Sequence, residues 1–393
     1  MAVARRLIPF GTSVFAEMTR LAERHGAINL AQGFPDFDGP EHVKRAAIGA
    51  IESGHSQYAP MPGLPVLTRA IASDFQGRAG IAVDPSTQVT ITAGCTEAIA
   101  AALLGLLEPG DEVILLEPFY DSYRACLAMS GAVVRFVTLR APGFVLNEAD
   151  LDRTVRDSRG KARALILNTP HNPTGRVFTK AEMEGVARVC LKHGLIAITD
   201  EVYERLIYEP AQRPHIHLAS LPGMADRTIT LSSLGKTFSL TGWKIGWSIA
   251  PPDLTNAVRA AHQFLTFAVS TPMQHAAATA LASPPSYFQA LANDYRRKRD
   301  LLGAALREAG FAFRDPEGSY FIYADHTTVS RRLGVEDDVS LCKALIERCG
   351  VAAIPPSAFY ENKAEGRRLV RFAFCKRDET LRAAIERLSR LGS

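Results

Sequence analysis

The sequence predicts an α/β fold in which helices cover both faces of a mostly parallel sheet. Two observations lead to this prediction. Between residues 85 and 250, short runs rich in β-branched residues alternate with amphipathic, helix-like stretches. The chain also has 393 residues, of which 47% are apolar, and this is enough for one large domain and a smaller one.

Seven runs in this region have the composition expected of strands. In chain order they are 89–92, 112–116, 133–139, 164–167, 196–199, 228–231 and 245–249. Helix signals lie between them. Thr96 precedes an apolar run that stops at Pro109, and Thr179 with Glu182 has the pattern of a capping box.

The pattern changes near residues 282–286, where two prolines indicate a junction. Beyond it we expect a long helix over 287–310, strands near 318–324 and 371–374, and a final helix over 379–391. Three parts are therefore predicted: an N-terminal arm that belongs partly to a small domain (1–40), a large domain (41–285) and a small C-terminal domain (286–393).

Charge and cysteine content limit the classes of function. Lysine and arginine number 45 against 41 acidic residues, and this excess of +4 lacks the concentrated basic stripe of a nucleic-acid binder. The longest apolar run, 98–107, is much shorter than the roughly 20 residues that span a bilayer. The six cysteines form no Cys-x-x-Cys pair and are typical of reduced thiols. We therefore expect a cytoplasmic protein without a metal site, a nucleic-acid partner or a membrane partner.

Lys236 is the first candidate for chemistry. It follows a predicted strand, beside Gly235 and among small hydroxyl residues in an apolar neighbourhood. Burial disfavours the ammonium form of lysine, lowers its pKa and makes the amine nucleophilic, which suits imine formation. A solvated loop lysine is the alternative that this segment alone leaves open.

Three further segments follow predicted strands. The turn at 168–175 lies where α/β proteins bind ligands, at the carboxyl ends of parallel strands. Asp200 ends an apolar strand, where a poorly solvated carboxylate needs a cationic partner. A helix cap or a structural ion pair remains the alternative for Asp200. At 92–97 a small-residue turn opens a helix, whose free N–H groups are suited to phosphate.

Together these segments resemble the class I aminotransferases of fold type I, which depend on pyridoxal 5'-phosphate (PLP). The resemblance spans residues 8–391 and rests on the Asn-Pro-Thr-Gly turn at 172–175, on Asp200 with Tyr203, and on Ser233 with Lys236. Segments 32–37, 168–175 and 235–244 are similar to the branch of methionine aminotransferases and kynurenine/glutamine transaminases. The resemblance implies a large domain with a mostly parallel seven-stranded sheet and a smaller α/β domain.

The resemblance also implies how PLP is held. Lys236 would bind the cofactor aldehyde and shuttle the substrate proton, Asp200 would pair with the pyridine nitrogen, and Tyr203 would contact the phenolic oxygen. The other residues implied to hold PLP are Asn172 at the phenolic oxygen, Tyr120 on the ring, Cys95, Thr96, Ser233 and Lys244 at the phosphate, and Tyr58, which would reach the phosphate of a neighbouring subunit.

For the substrate, the resemblance implies that Arg371 binds the α-carboxylate, with Gly33, Asn172 and Phe15 as further contacts. No second arginine is evident for a distal carboxylate. We therefore expect a homodimer that transfers the amino group of an apolar, thioether or aromatic amino acid, methionine first and glutamine included, to a 2-oxo acid by a ping-pong mechanism. Cysteine-conjugate β-lyase or kynurenine aminotransferase activity, and succinyldiaminopimelate aminotransferase activity, are the alternatives.

Overall fold

The computed structural model describes residues 3–11, 14–208 and 215–391. Its strands are β1 (Ile28–Asn29), β2 (Val89–Thr92), β3 (Glu112–Glu117), β4 (Val133–Thr138), β5 (Ala162–Asn168), β6 (Ile196–Asp200), β7 (Thr228–Ser233), β8 (Gly246–Ile249), β9 (Phe321–Asp325), β10 (Val351–Ala352) and β11 (Leu369–Ala373). Its α-helices are α1 (Val14–Arg24), α2 (Glu41–Glu52), α3 (Pro65–Ala79), α4 (Gly94–Leu106), α5 (Asp121–Ser130), α6 (Glu148–Asp157), α7 (Lys180–His193), α8 (Leu234–Thr237), α9 (Pro252–Leu265), α10 (Thr271–Leu281), α11 (Pro285–Glu308), α12 (Thr327–Leu333), α13 (Asp338–Ala344) and α14 (Asp378–Ser389).

The strands β2 to β8 form one seven-stranded sheet in the order β2-β8-β7-β6-β5-β3-β4. Strand β8 is antiparallel to β2 and β7, and the other neighbouring pairs are parallel. Strands β2, β3 and β8 are buried along their whole length because helices cover the sheet. The predicted mostly parallel sheet is confirmed, and all seven predicted strands are present.

Helix ends follow local capping chemistry. Helix α7 begins with the predicted capping box, in which Thr179 Oγ1 accepts from Glu182 N and Glu182 Oε2 accepts from Thr179 N. Helix α4 begins at Gly94, two residues before the predicted Thr96. None of the described helices is long and apolar enough to cross a bilayer.

The C-terminal elements hold the N-terminal segment beside strands β10 and β11. Strands β9 and β11 pair in antiparallel orientation, and β1 pairs in parallel with β10. Leu30 N then donates to Ala352 O, and Ala373 N donates to Leu30 O. The loop that follows β1, residues 31–34, is thus anchored beside β11. The domain boundaries at 40 and 285 stay predictions.

His171 lies buried in the turn after β5, with Nδ1 2.8 Å from Thr174 Oγ1. Burial, assisted by the Arg176 charge, lowers the pKa of His171 to about 3. An unfolded histidine titrates near 6.5, so the unfolded chain takes up this proton first, and stability falls as the pH drops from about 6.5 towards 3.

We therefore expect His171→Gln to lose less stability on acidification than the parent. The difference in the free energy of unfolding should be about 2 kcal/mol between pH 7 and pH 5, at about 1.4 kcal/mol per titrated pH unit. Urea titrations of both proteins at the two pH values measure it. Equal pH dependence in the two proteins would show that His171 does not titrate as expected.

Candidate active site

A cavity lies at the carboxyl edge of the sheet, where β5, β6 and β7 end. The register of β5 and β6 places Asn168 directly beside Asp200. Nine of the residues expected to hold PLP line this one cavity: Cys95, Thr96, Tyr120, Asn172, Asp200, Tyr203, Ser233, Lys236 and Lys244.

Asp200 is a buried carboxylate at the base of the cavity, with 5% of its surface exposed. Tyr123 Oη donates to its Oδ2 at 2.6 Å, and Val202 N donates to its Oδ1 at 3.3 Å. Burial raises the pKa of Asp200, and the hydrogen bond from Tyr123 is the largest opposing effect. A cation bound in the cavity would therefore keep this carboxylate ionised.

Lys236 lies in the single turn of α8, immediately after β7. Its Nζ is 5.6 Å from the ring centroids of both Tyr203 and Tyr320. Burial lowers the pKa of Lys236, while the nearby Asp200 carboxylate partly restores it. The neutral amine is therefore more accessible here than on a solvated lysine, as a nucleophile requires.

The turn between β2 and α4 forms another wall of the cavity. Gly94 has φ 76°, and a Cβ on it would lie 3.0 Å from Lys244 Nζ, so glycine lets the lysine approach the start of the helix. Lys244 forms no ion pair with a carboxylate of the described residues. The unpaired N–H groups of the first helical turn and this ammonium group together favour an anion.

Arg371, on β11, is 2% exposed and forms no ion pair within the part of the chain that the structure describes. Its Nη1 donates to Asn172 Oδ1 and its Nη2 to Ala31 O, each at 3.1 Å, and its Nε has no partner among the residues that the structure describes. Burial lowers the pKa of Arg371 to about 10. The guanidinium carbon lies near three ring centroids: Phe321 at 4.1 Å, Phe359 at 5.1 Å and Phe15 at 5.2 Å. A buried guanidinium without a carboxylate is suited to an anionic ligand.

Gly33 lies in the loop beside Arg371. A Cβ at Gly33 would lie 2.5 Å from Phe321 Cζ, so glycine is required for this packing. Tyr58, in contrast, does not line the cavity of its own chain. It is 83% exposed, and its ring packs edge-on against Phe267 at 5.5 Å.

The model of the family described as aminotransferase class I and II matches residues 25–388. The chain belongs to this family. Its members depend on PLP, so the expected cofactor class is confirmed. The donor set also fits this group: Asp200 suits a protonated pyridine nitrogen, Lys236 an aldehyde, and Lys244 with the start of α4 a phosphate.

Named relatives of this aminotransferase differ in substrate. A probable N-succinyldiaminopimelate aminotransferase of Mycobacterium tuberculosis is 49% identical over 394 residues, which cover 98% of this chain and 97% of the relative. The methionine aminotransferase of Escherichia coli is 39% identical over 386 residues, with the same coverage. A kynurenine–oxoglutarate transaminase of Dictyostelium discoideum is 38% identical over 416 residues and covers 97% of this chain and 94% of the relative.

Solved structures show the same fold. That of the M. tuberculosis N-succinyldiaminopimelate aminotransferase matches with a TM-score of 0.94 at 49% identity and covers 99% of this chain and 100% of the other. That of the E. coli methionine aminotransferase matches with a TM-score of 0.93 at 39% identity and the same coverage. Fold type I is therefore confirmed.

Three residues of the site are not among the individual site residues expected from the sequence, although Asn168 begins the predicted ligand-binding turn at 168–175. Asn168 donates from Nδ2 to Asp200 O at 2.8 Å and accepts from Asn172 N at 2.6 Å. Asn168 and Asp200 are both polar residues at the end of a strand, so the pattern of polar strand ends in the sequence could have indicated Asn168. Tyr123 follows Tyr120 by one helical turn, and this spacing also points to the site. No local signal identifies Tyr320, whose contact with Lys236 joins two residues that lie far apart in the sequence.

A second cluster of titratable side chains lies among the described residues. Donor atoms of Glu201, Glu204, His215 and His217 lie within 4.8 Å of one another. Arg78 Nη1, however, lies 2.7 Å from Glu204 Oε2 and 3.0 Å from His217 Nε2. A metal bound to His217 Nδ1 would place the imidazole proton on Nε2. That proton would face the N–H groups of Arg78, which is unfavourable because both groups are donors. We therefore interpret the cluster as a hydrogen-bonded ion-pair network in which Arg78 is the cation.

Proposed function

We propose that this aminotransferase takes the α-amino group from amino acids with apolar or thioether side chains, methionine first, and passes it to a 2-oxo acid. The observation that carries the proposal is the aromatic surface around the buried Arg371. Asp121 is one of the groups whose charge acts on Arg371. We infer that this carboxylate disfavours a second carboxylate on the substrate. Aromatic amino acids and glutamine are proposed as further donors, less preferred than methionine, that contact the same aromatic surface.

When bound, PLP supplies an electron sink that stabilises negative charge at the substrate Cα. Asp200 would hold the pyridine nitrogen protonated, because this carboxylate is buried and forms no ion pair with any residue that the structure describes. Lys236 would hold the cofactor before the substrate arrives and then move the Cα proton as a general base and acid. Burial lowers the pKa of Lys236 and so favours the neutral amine that this task needs.

The remaining cavity residues would orient the cofactor and the substrate. Asn172 and Tyr203 would donate hydrogen bonds to the phenolic oxygen, and Tyr120 would stack on the ring. The residues proposed to hold the phosphate are Cys95 and Thr96 through their N–H groups, Ser233 through its hydroxyl and Lys244 through its ammonium. Arg371 would bind the α-carboxylate, with the Gly33 N–H and Phe15 beside it.

We propose a homodimer in which Tyr58 of each copy completes the other site. The support is an exposed aromatic group in which Tyr58 packs against Phe267, and Phe264 is 86% exposed nearby in sequence. Large exposed aromatic side chains are enriched at protein interfaces. Sedimentation velocity of the purified protein tests this assembly.

An N-succinylated diamino dicarboxylate is the second candidate donor, favoured by a cleft next to Arg371. The cleft shares Tyr120 with the cavity around Lys236 and Phe359 with the surroundings of Arg371. It also contains the charged residues Asp121, Arg124, Glu361 and Lys363. Arg124 is paired with Glu361, whereas Lys363 forms no ion pair within the described residues. Lys363 could therefore bind a distal carboxylate, and the 49% identical relative is named for such a substrate.

A panel of amino donors distinguishes the two candidates. Initial rates should be measured with methionine, phenylalanine, glutamine, aspartate and N-succinyldiaminopimelate, each with 2-oxoglutarate as acceptor, and the donors other than methionine also with 2-oxo-4-methylthiobutanoate. We expect kcat/KM for methionine to exceed that for aspartate by at least about tenfold, since burying an unpaired carboxylate costs more than about 1.4 kcal/mol. Phenylalanine and glutamine should lie closer to methionine, because apolar pockets discriminate by only about 1–3 kcal/mol.

Two outcomes would change the assignment. If the succinylated donor has the highest kcat/KM, and Lys363→Ala lowers that value alone, the second candidate replaces the first. If aspartate exceeds methionine, the proposed side-chain class is wrong. The aminotransferase class would survive either result.

A further inference from the structure

The loop after β1 is held by an unusual row of hydrogen bonds to its carbonyl groups. Four consecutive carbonyl oxygens accept from side chains of the C-terminal part of the chain: Ala31 O from Arg371 Nη2 at 3.1 Å, Gln32 O from Lys376 Nζ at 3.2 Å, Gly33 O from Tyr320 Oη at 2.6 Å and Phe34 O from Lys376 Nζ at 2.8 Å. The Gly33 N–H, in contrast, donates to no acceptor among the described residues.

Lys376 is the unexpected member of this row. It is 3% exposed, and it forms no ion pair with a carboxylate in the described part of the chain. Its partners are the carbonyls of Gln32 and Phe34 and the ring of Phe34, whose centroid lies 5.0 Å from Nζ. Burying an ammonium group without a counterion is costly, so a structural role alone is a poor explanation.

We propose that Lys376 is a positioning residue for the substrate α-carboxylate and acts through the peptide group between Gln32 and Gly33. A trans peptide is planar, and its C=O and N–H point in opposite directions. The bond from Lys376 to Gln32 O therefore fixes the Gly33 N–H on the side of the peptide away from the lysine. The Phe321 ring packs against both Gly33 and Arg371, so the Gly33 N–H lies near the Arg371 guanidinium.

Lys376 also strengthens that donor. A cation at the carbonyl oxygen withdraws electrons through the conjugated peptide and makes the N–H a better donor to an anion. The positive charge of Lys376 adds to that of Arg371 in attracting the substrate carboxylate, although Lys376 does not contact the substrate. The inference rests on the proposed placement of the carboxylate between Arg371 and Gly33.

The test compares holoenzymes that differ at position 376. Lys376→Met keeps the length of the side chain but removes its charge and its donors. We expect the KM for methionine to rise about tenfold or more, with kcat changed less than about threefold, because hydrogen bonds to a charged group are weakened. The affinity for 4-(methylthio)butanoate, an unreactive carboxylate without an amino group, should fall by a similar factor in calorimetry. The visible spectrum of bound cofactor should not change.

Companion variants separate charge from anchoring. Lys376→Arg keeps the charge and should restore part of the affinity. Tyr320→Phe removes the bond to Gly33 O without removing a charge, and it should have a smaller effect on carboxylate affinity than Lys376→Met. Lys298→Met is the matched control, because Lys298 is another buried lysine but pairs with Asp294. It should leave both the KM and the affinity unchanged.

Unchanged KM and unchanged carboxylate affinity in Lys376→Met, or in Lys376→Gln where the first variant does not fold, would overturn the inference. Equal losses in Lys298→Met would overturn it as well, since any buried lysine would then have the same effect. Failure of the proposed function looks different: Arg371→Gln would bind 4-(methylthio)butanoate as tightly as the parent.

Discussion

Replacing Lys236 by alanine should abolish turnover and leave the protein without covalently held PLP. The side chain supplies both the amine that holds the cofactor and the base that moves the Cα proton, and burial lowers its pKa in the direction that both tasks favour. Loss of a positioned general base alone costs about 10²–10⁴ in rate, so kcat should fall by at least about 10³-fold. Steady-state rates with methionine measure the loss.

Chemical rescue and a control make this prediction specific. A small primary amine in solution should restore part of the lost rate, because the missing group is a base. Lys180→Ala, which removes a solvent-exposed lysine at the start of α7, should behave as the parent. A Lys236→Ala protein that retained most of its turnover would exclude Lys236 as the reacting amine.

Replacing Arg371 by glutamine should lower kcat/KM for methionine by about 30- to 5 × 10³-fold. The guanidinium is buried, has an unpartnered Nε and lacks a carboxylate partner within the described residues, so the substrate would be its counterion. Truncating one partner of a buried, hydrogen-bonded charge pair costs about 2–5 kcal/mol. Arg371→Lys keeps the charge but loses the planar fork, and its activity should be intermediate.

The size of the Arg371 effect should depend on the substrate carboxylate. An amine that lacks this group, such as 3-(methylthio)propylamine, should react slowly with the parent but lose little further activity in Arg371→Gln. The spectrum of bound cofactor should be retained, because Arg371 does not line the cavity that surrounds Lys236. If the amine and methionine lost activity equally, Arg371 would not act through the carboxylate.

The sheet could be predicted because each strand carries its own signal. Runs of β-branched residues mark β2 to β8, and the strand ends at Asp200 and Ser233 place polar groups at one edge. The expected cofactor residues depend more on the resemblance to a family than on local patterns. Their meeting in one cavity, with the exception of Tyr58, agrees with that expectation.

The loop contacts could not be predicted because they join distant parts of the chain. Lys376 and Gln32 are separated by 344 positions, and Tyr320 and Gly33 by 287. In the sequence, Lys376 is one basic residue beside Arg377 and gives no sign of burial. Likewise, the requirement for glycine at position 33 appears only when Phe321 is packed against it.

Borohydride reduction followed by peptide mapping tests the central claim, a covalent link between PLP and Lys236 beside a buried carboxylate. The purified holoenzyme would be reduced, digested and examined by mass spectrometry. The structure predicts that the cofactor remains attached to the peptide that contains Lys236, with no other lysine labelled to a comparable extent. An unlabelled Lys236 peptide, with the cofactor on another lysine or absent, would contradict the account.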